Sequence, residues 1–414
     1  MNIFQASALL LSLTALFSYL NARFLKLNPA VGSLLVALVL SLGLVIFGNA
    51  GFVVNAEGFL DQLSFDELVL QGLLSFLLFA GALNVNLDRL NRLKWPILTL
   101  ATVGVVVSTL VVGSVMFLAL ELLGFSVSYP YALLFGALIS PTDPIAVISI
   151  LKRAGVPQTT ETLITGESLF NDGVGVVVFS VLLSSVAAGE HGGGLSGGLV
   201  LFVQEAVGGV LFGGVLGFVA FRLLKSIDDY AAEVLITLAV VTGGYALAQA
   251  LHTSGPLTVV VAGILIGNRG RLLAMSDTTR EHLDTFWAVI DEILNAVLFV
   301  LIGLELLVLD FRSSYLWAIL LAVPVVLGAR LISVNIPISL FRLHRTFQPY
   351  TVRLMVWGGL RGGISVALAL SLPTSPARDL LIALTYGVVV FSVLVQGLTV
   401  GRVARRAKVR VVKD

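Results

Sequence analysis

Apolar runs of about 20 residues, the length of one bilayer-crossing helix, follow one another along nearly the whole chain with short polar connections between them. They fall near 3–22, 30–47, 66–86, 96–120, 129–150, 160–186, 199–223, 233–251, 255–268, 283–308, 315–341, 349–372 and 379–401. Thirteen spans result, or twelve if the short ninth, which opens at Ser254, Gly255 and Pro256, fuses with the eighth. The predicted fold class is thus an all-α membrane protein. The longest connections, near 48–65 and 187–198, are too short to fold alone. Residues 1–414 are therefore expected to form a single transmembrane transporter domain with a short basic tail at 402–414. The first run has no basic residue before it, which predicts a retained span rather than a cleaved leader.

The basic residues give these spans a direction, because cytoplasmic loops carry an excess of Lys and Arg. With the N-terminus outside, the inside connections hold Arg23 and Lys26; Arg89, Arg92 and Lys94; Lys152 and Arg153; Arg222 and Lys225; Arg269, Arg271 and Arg280; and Arg342 and Arg345. The basic tail follows on the same side. Only Arg312 and Arg378 fall in outside loops. The alternation holds through every predicted segment, which predicts thirteen spans, N-terminus outside and C-terminus cytoplasmic.

Composition narrows the class. With 57% hydrophobic and 12% charged residues, against about 25% charged in an ordinary soluble domain, a water-soluble fold is excluded. The chain has no cysteine, which removes disulfides, thiolate metal sites and thiol nucleophiles. The formal net charge of +1 hides a strong asymmetry along the chain and by itself says nothing of partners; no nucleic-acid partner is expected of a chain that is all membrane. No segment is long enough for a nucleotide-binding module, so the driving force must be a gradient.

Five charges lie near the centres of their spans: Asp143, Glu167, Asp172, Arg330 and Arg361. Each costs about 2.5 to 3.5 kcal/mol at mid-bilayer, so such residues mark a pathway or a structural pair. Ionised together they leave one negative charge, which a cation or a proton would balance. Within the fifth span, Pro141 and Pro144 flank Thr142 and Asp143. Each proline lacks an amide proton and pushes its predecessor toward extended geometry, so the helix should unwind there. Unwound backbone at membrane depth survives where it lines a cavity or is buried in protein. The freed carbonyls and the Asp143 carboxylate would suit a small hard cation.

In the sixth span, residues four apart share a face, so Ser168 lies over Asp172 while Glu167 lies over Asn171. The first pair offers a hydroxyl and a carboxylate to an ion; the second can hold an arginine fork. The twelfth span carries Trp357-Gly358-Gly359-Leu360-Arg361-Gly362-Gly363, whose glycines weaken the helix around one guanidinium. Spans five and twelve are thus both predicted to be discontinuous. They lie an odd seven spans apart, so equivalent repeats would run in opposite directions, as in carriers built from inverted halves. Two inverted six-helix repeats, about 1–186 and 233–401, with a linker helix at about 199–223, are expected.

These motifs give the chain a family resemblance. Ser140-Pro141-Thr142-Asp143-Pro144 and Gly166-Glu167-Ser168-Leu169-Phe170-Asn171-Asp172-Gly173 resemble the cation/proton antiporters of the NhaP and eukaryotic NHE kind over nearly the whole length. Ser254-Gly255, Val261-Ala262-Gly263, the run Leu301 to Glu305, Arg330 and Gly359 to Gly362 add weaker support. The resemblance implies a multi-pass protein of a bacterial or archaeal inner membrane, not an enzyme, that exchanges H⁺ for a monovalent cation. Na⁺ is the expected cation, with Li⁺ and K⁺ as alternatives. It implies Thr142, Asp143, Ser168 and Asp172 as the ion site, and Glu167, Asn171, Arg330 and Arg361 as the supporting polar network. It also implies a homodimer and no cofactor beyond the transported ions. The pair Asn171-Asp172 resembles the electroneutral branch, since electrogenic relatives carry two adjacent aspartates. Many relatives also have an acidic residue in the third span, where this chain has Ala80.

The mechanism expected is competition, with a proton or a cation held at Asp172 beside Asp143 and only the neutralised site crossing between open sides. Two rivals are weaker. An intramembrane aspartyl protease would need Gly-x-Gly-Asp, whereas Asp172 follows Leu169, Phe170 and Asn171; a cation channel would need rings of selectivity residues. Other polar positions read more plainly. Glu57, Asp61 and Asp66 suggest a solvated loop, Glu205 the outer interface, and His252 an incidental loop histidine. Gly209, Gly213 and Gly217 form a small-residue stripe for helix packing. Asp291 and Glu292 lie deep in the tenth span without an obvious partner.

Overall fold

The structure, a computed structural model, describes residues 3–47, 68–143, 145–188, 194–271, 275–307, 312–348 and 350–411. Glu57, Asp61 and Asp66 lie outside the described residues. Helices α1 (Ile3–Leu20), α2 (Pro29–Phe47), α3 (Leu74–Leu83), the short α4 (Leu87–Arg92), α5 (Lys94–Ala101) and α6 (Val103–Leu122) come first. Then follow α7 (Tyr129–Leu138), α8 (Ile145–Ala154), α9 (Gln158–Ala188), α10 (Gly194–Leu224), α11 (Tyr230–Ala250) and α12 (Gly255–Leu265). The chain closes with α13 (Asp277–Leu304), α14 (Tyr315–Phe341), α15 (Thr351–Gly358), α16 (Gly363–Leu370), α17 (Arg378–Phe391) and α18 (Gly397–Val411). Among the described residues there is no strand, only an isolated antiparallel bridge between Asp143 and Leu360.

Eight of the described helical runs are long and apolar enough to cross a bilayer, and shorter apolar helices accompany them. Leucines, valines and phenylalanines stay exposed along α10, as on Leu211 and Phe218, where hydrocarbon rather than water is the matching solvent. The eighth and ninth predicted segments form separate helices, joined by a turn in which His252 takes φ 53°. The predicted fourth segment bends at Thr102, where α5 gives way to α6.

The predicted small-residue stripe packs α10 on α12. A Cβ on Gly213 would lie 2.5 Å from the Thr258 carbonyl oxygen, and one on Gly209 2.8 Å from that of Ser254. The Thr258 hydroxyl donates to the Gly209 carbonyl at 3.2 Å. Buried apolar side chains form two cores. One gathers α3, α11, α12 and the first half of α13 around Trp287; the other gathers α2, α7, α14, α16, α17 and the second half of α13.

Candidate functional site

Where the two cores meet, both broken spans bring their interruptions together. α7 ends at Leu138 and α8 begins at Ile145, while α15 ends at Gly358 and α16 begins at Gly363. Each break leaves backbone groups that the helix no longer satisfies, and at this depth they must find partners inside the protein. They find them largely in each other. The Asp143 N–H donates to the Leu360 carbonyl at 2.8 Å. The Arg361 guanidinium donates through Nη1 to the carbonyls of Ser140 and, at 2.8 Å, of Pro141. The Arg361 N–H donates to Ser392 Oγ at 2.9 Å. Gly362 is required by the approach, since a Cβ there would sit 2.8 Å from Asp143 Oδ2.

This corrects one expectation. The carbonyls freed by the proline-flanked break were predicted to face an ion, yet those of Ser140 and Pro141 are taken up by Arg361. The Arg361 side chain, from the break between α15 and α16, thus braces the break between α7 and α8.

A second network lies beside this crossing. Arg330, from α14, donates through Nη1 and Nη2 to Glu167 Oε1 and Oε2 at 2.6 and 2.7 Å. The pair is enclosed, with side-chain exposures of 7% and 1%. Asn171 donates through Nδ2 to Glu167 Oε1 at 2.9 Å and to Thr142 Oγ1 at 2.8 Å, and its Oδ1 accepts from the Thr142 N–H at 3.2 Å. Because Thr142 Oγ1 accepts from Asn171, its own proton is available to Ser168 Oγ, 3.0 Å away. The predicted face of Glu167 and Asn171 does hold an arginine fork, and the arginine is Arg330.

Asp172 stands apart from both networks. It is 6% exposed, and its Oδ1 has no hydrogen-bond partner. It lines a cavity of about 100 Å³ together with Asp143, Thr165, Ser365 and the apolar side chains of Leu74, Leu78, Leu169 and Leu298. Among the described residues, no Lys or Arg lines it. Thr142 and Ser168 are buried in the adjoining network instead and are not among them. Ala80 is packed in the core around Trp287, and among the described residues the third predicted segment gives the cavity Val69, Leu74, Leu77, Leu78 and Gly81.

Residues 11–406 match the family described as sodium/hydrogen exchanger, transmembrane. The chain belongs to that family. This exchanger-family protein is 50% identical over 406 residues to the Na(+)/H(+) antiporter NhaP of Pseudomonas aeruginosa, covering 96% of each chain. It is 36% identical over 392 residues to the Na(+)/H(+) antiporter NhaH of Halobacillus aidingensis, covering 93% of each. Its fold is similar to that of the sodium proton antiporter MjNhaP1 from Methanocaldococcus jannaschii, with a TM-score of 0.74 at 20% identity over 98% and 99% of the two chains. The protein is therefore a multi-pass membrane transporter rather than an enzyme, which sets the protease reading aside.

Several polar residues escaped sequence reading. Ser392, in the π-turn 392–396, meets the broken twelfth span, and Gln396 donates to the Trp357 carbonyl at 3.1 Å. Gln396, a polar residue within an apolar run, carried a readable signal; a π-turn leaves none. Asp291 has a partner after all, since Asn295 Nδ2 donates to its Oδ1 at 3.1 Å, while Glu292 is exposed.

Proposed function

We propose that this protein exchanges H⁺ for Na⁺ across a bacterial inner membrane, with one proton per cation and hence no net charge moved. Its relatives' names support the ion pair. The observation that carries the reading is Asp172, whose Oδ1 is buried and unpartnered and which lines a cavity with Asp143 where no described lining residue is basic. A buried carboxylate without a partner is costly as an anion. A proton or a cation at that oxygen removes the cost, so the two compete for one place. Thr142 and Ser168, hydrogen-bonded at the cavity's edge, complete the ion site once a cation draws their oxygens inward. Glu167, Asn171, Arg330 and Arg361 hold that edge in place. Li⁺ and K⁺ have access to the same oxygens.

In this reading the chain crosses the membrane thirteen times, N-terminus outside and C-terminus in the cytoplasm. It forms two inverted repeats, about 1–186 and 233–401, with 199–223 as the linker. The antiparallel meeting of Asp143 and Leu360, one from each half, supports that arrangement. The exchanger works as a homodimer in the bilayer, and its transported ions are its only small-molecule partners.

The test is purified protein in acid-loaded vesicles, with internal pH followed as Na⁺, Li⁺ or K⁺ is added, and with the membrane potential clamped at zero or at an imposed value. Wild-type protein is expected to release protons on Na⁺ addition at a rate independent of potential, and Asp172→Asn to release none. A unitary current in single-channel recording, or undiminished exchange by Asp172→Asn, would overturn the reading.

A further inference from the structure

The cavity holds a second orphan oxygen, and it comes from the other half of the chain. Ser365 is 1% exposed, its Oγ has no hydrogen-bond partner, and it lines the same cavity as Asp172 and Asp143. A helical serine ordinarily satisfies itself on the carbonyl three or four residues earlier. Ser371, at the end of the same helix, does this with the Leu368 carbonyl at 2.9 Å. Ser365 is the third residue of α16, so its corresponding carbonyls belong to Arg361 and Gly362 in the interrupted segment. The break therefore leaves this hydroxyl without an acceptor, on a residue that lines the cavity.

The other hydroxyl-bearing residue described on the cavity wall, Thr165, is only half-buried. Among the described residues, the third span contributes no side-chain oxygen to the cavity. A small hard cation seated between Asp143 and Asp172 needs further oxygens to replace the water it sheds. From these observations we propose that the Ser365 hydroxyl is a direct ligand of the transported cation, supplied by the second half to a site otherwise built by the first. The proposal rests on the exchange reading above and adds to it the residue that tunes cation affinity and selectivity. Buried hydroxyls left dry are costly, so cation binding is also what satisfies Ser365.

Ser365→Ala, Ser365→Thr and Asp172→Asn are compared in vesicles and in detergent. In vesicles, Ser365→Ala is expected to raise the half-saturating Na⁺ concentration about tenfold, the equivalent of about 1.4 kcal/mol, and to change the Na⁺ to Li⁺ preference. In detergent, added Na⁺ raises the melting temperature of wild-type protein by mass action. That shift is expected to shrink in Ser365→Ala and to return in Ser365→Thr, which keeps the hydroxyl. The melting shift needs no turnover, so a folded but slow variant is still informative. The proposal is overturned if Ser365→Ala matches wild type in half-saturation and melting shift while Asp172→Asn loses both. It is also overturned if Ser365→Thr behaves as Ser365→Ala. Wild-type vesicles that exchange no monovalent cation would instead remove the exchange reading on which it rests.

Discussion

Glu167 receives both terminal nitrogens of Arg330, at 2.6 and 2.7 Å, and the pair is sealed between α9 and α14. Two charges in such a place stabilise little against a well-packed apolar pair, but each depends on the other. Glu167→Gln leaves a buried guanidinium without a counter-charge and is expected to destabilise by about 3 to 5 kcal/mol. Arg330→Met leaves a buried carboxylate and should cost a similar amount. The double substitution removes both charges and should recover most of the loss. Melting temperatures of the four proteins in one detergent form the cycle; additive losses in the double variant would show that the pair is not coupled.

The same carboxylate decides what position 171 accepts. Asn171 spends every polar atom locally, with Nδ2 on Glu167 and Thr142 and Oδ1 on the Thr142 N–H. An aspartate there would put a carboxylate oxygen 2.9 Å from Glu167 Oε1 in place of a donor. Asn171→Asp is therefore expected to lower stability and sodium-driven proton release rather than merely add a second proton carrier. Pairing it with Glu167→Gln, which restores a donor opposite the new carboxylate, should recover part of the lost stability. An Asn171→Asp protein as stable as wild type would refute the assignment of that amide contact.

Much of this centre was legible because charge in an apolar run is conspicuous. Asp143, Glu167, Asp172, Arg330 and Arg361 stand out by cost alone, and the i to i+4 rule placed Glu167 and Asn171 on one face. The interruptions followed from Pro141 with its neighbours and from the glycines around Arg361. What sequence could not assign was partnership across the fold. Nothing in the chain distinguishes the arginine that forks Glu167 from the one that holds the Ser140 and Pro141 carbonyls. Ser365 and Ser392 were overlooked for a related reason. A serine in an apolar helix usually bonds its own backbone, and only the tertiary break removes that option from Ser365.

Helix packing on α10 makes a prediction independent of the ion site. Gly213 and Gly214 are adjacent, yet a Cβ on the first would meet the Thr258 carbonyl at 2.5 Å, and one on the second would meet nothing within 4 Å. Gly213→Ala must push α10 from α12, at about 1 to 3 kcal/mol for such overpacking. Gly214→Ala gains helix propensity of about 1 kcal/mol with no steric charge against it. Melting should thus fall for the first and hold or rise for the second. Equal effects at the two positions would mean that α10 does not face α12 as described.

Competition at one carboxylate also fixes the direction of the pH response. A proton on Asp172 removes the negative charge that draws the cation, so lowering pH weakens apparent cation binding without altering any other contact. In the range where the site is mostly protonated, each unit by which pH is lowered should raise the half-saturating Na⁺ concentration about tenfold, as one proton displaced per cation requires. Maximal exchange at saturating Na⁺ should fall much less, because excess cation displaces the proton. Vesicle measurements of rate against Na⁺ at several pH values decide this. A half-saturation that stays constant while the maximal rate collapses in acid would place the titrating group elsewhere, outside the cavity of Asp172 and Asp143.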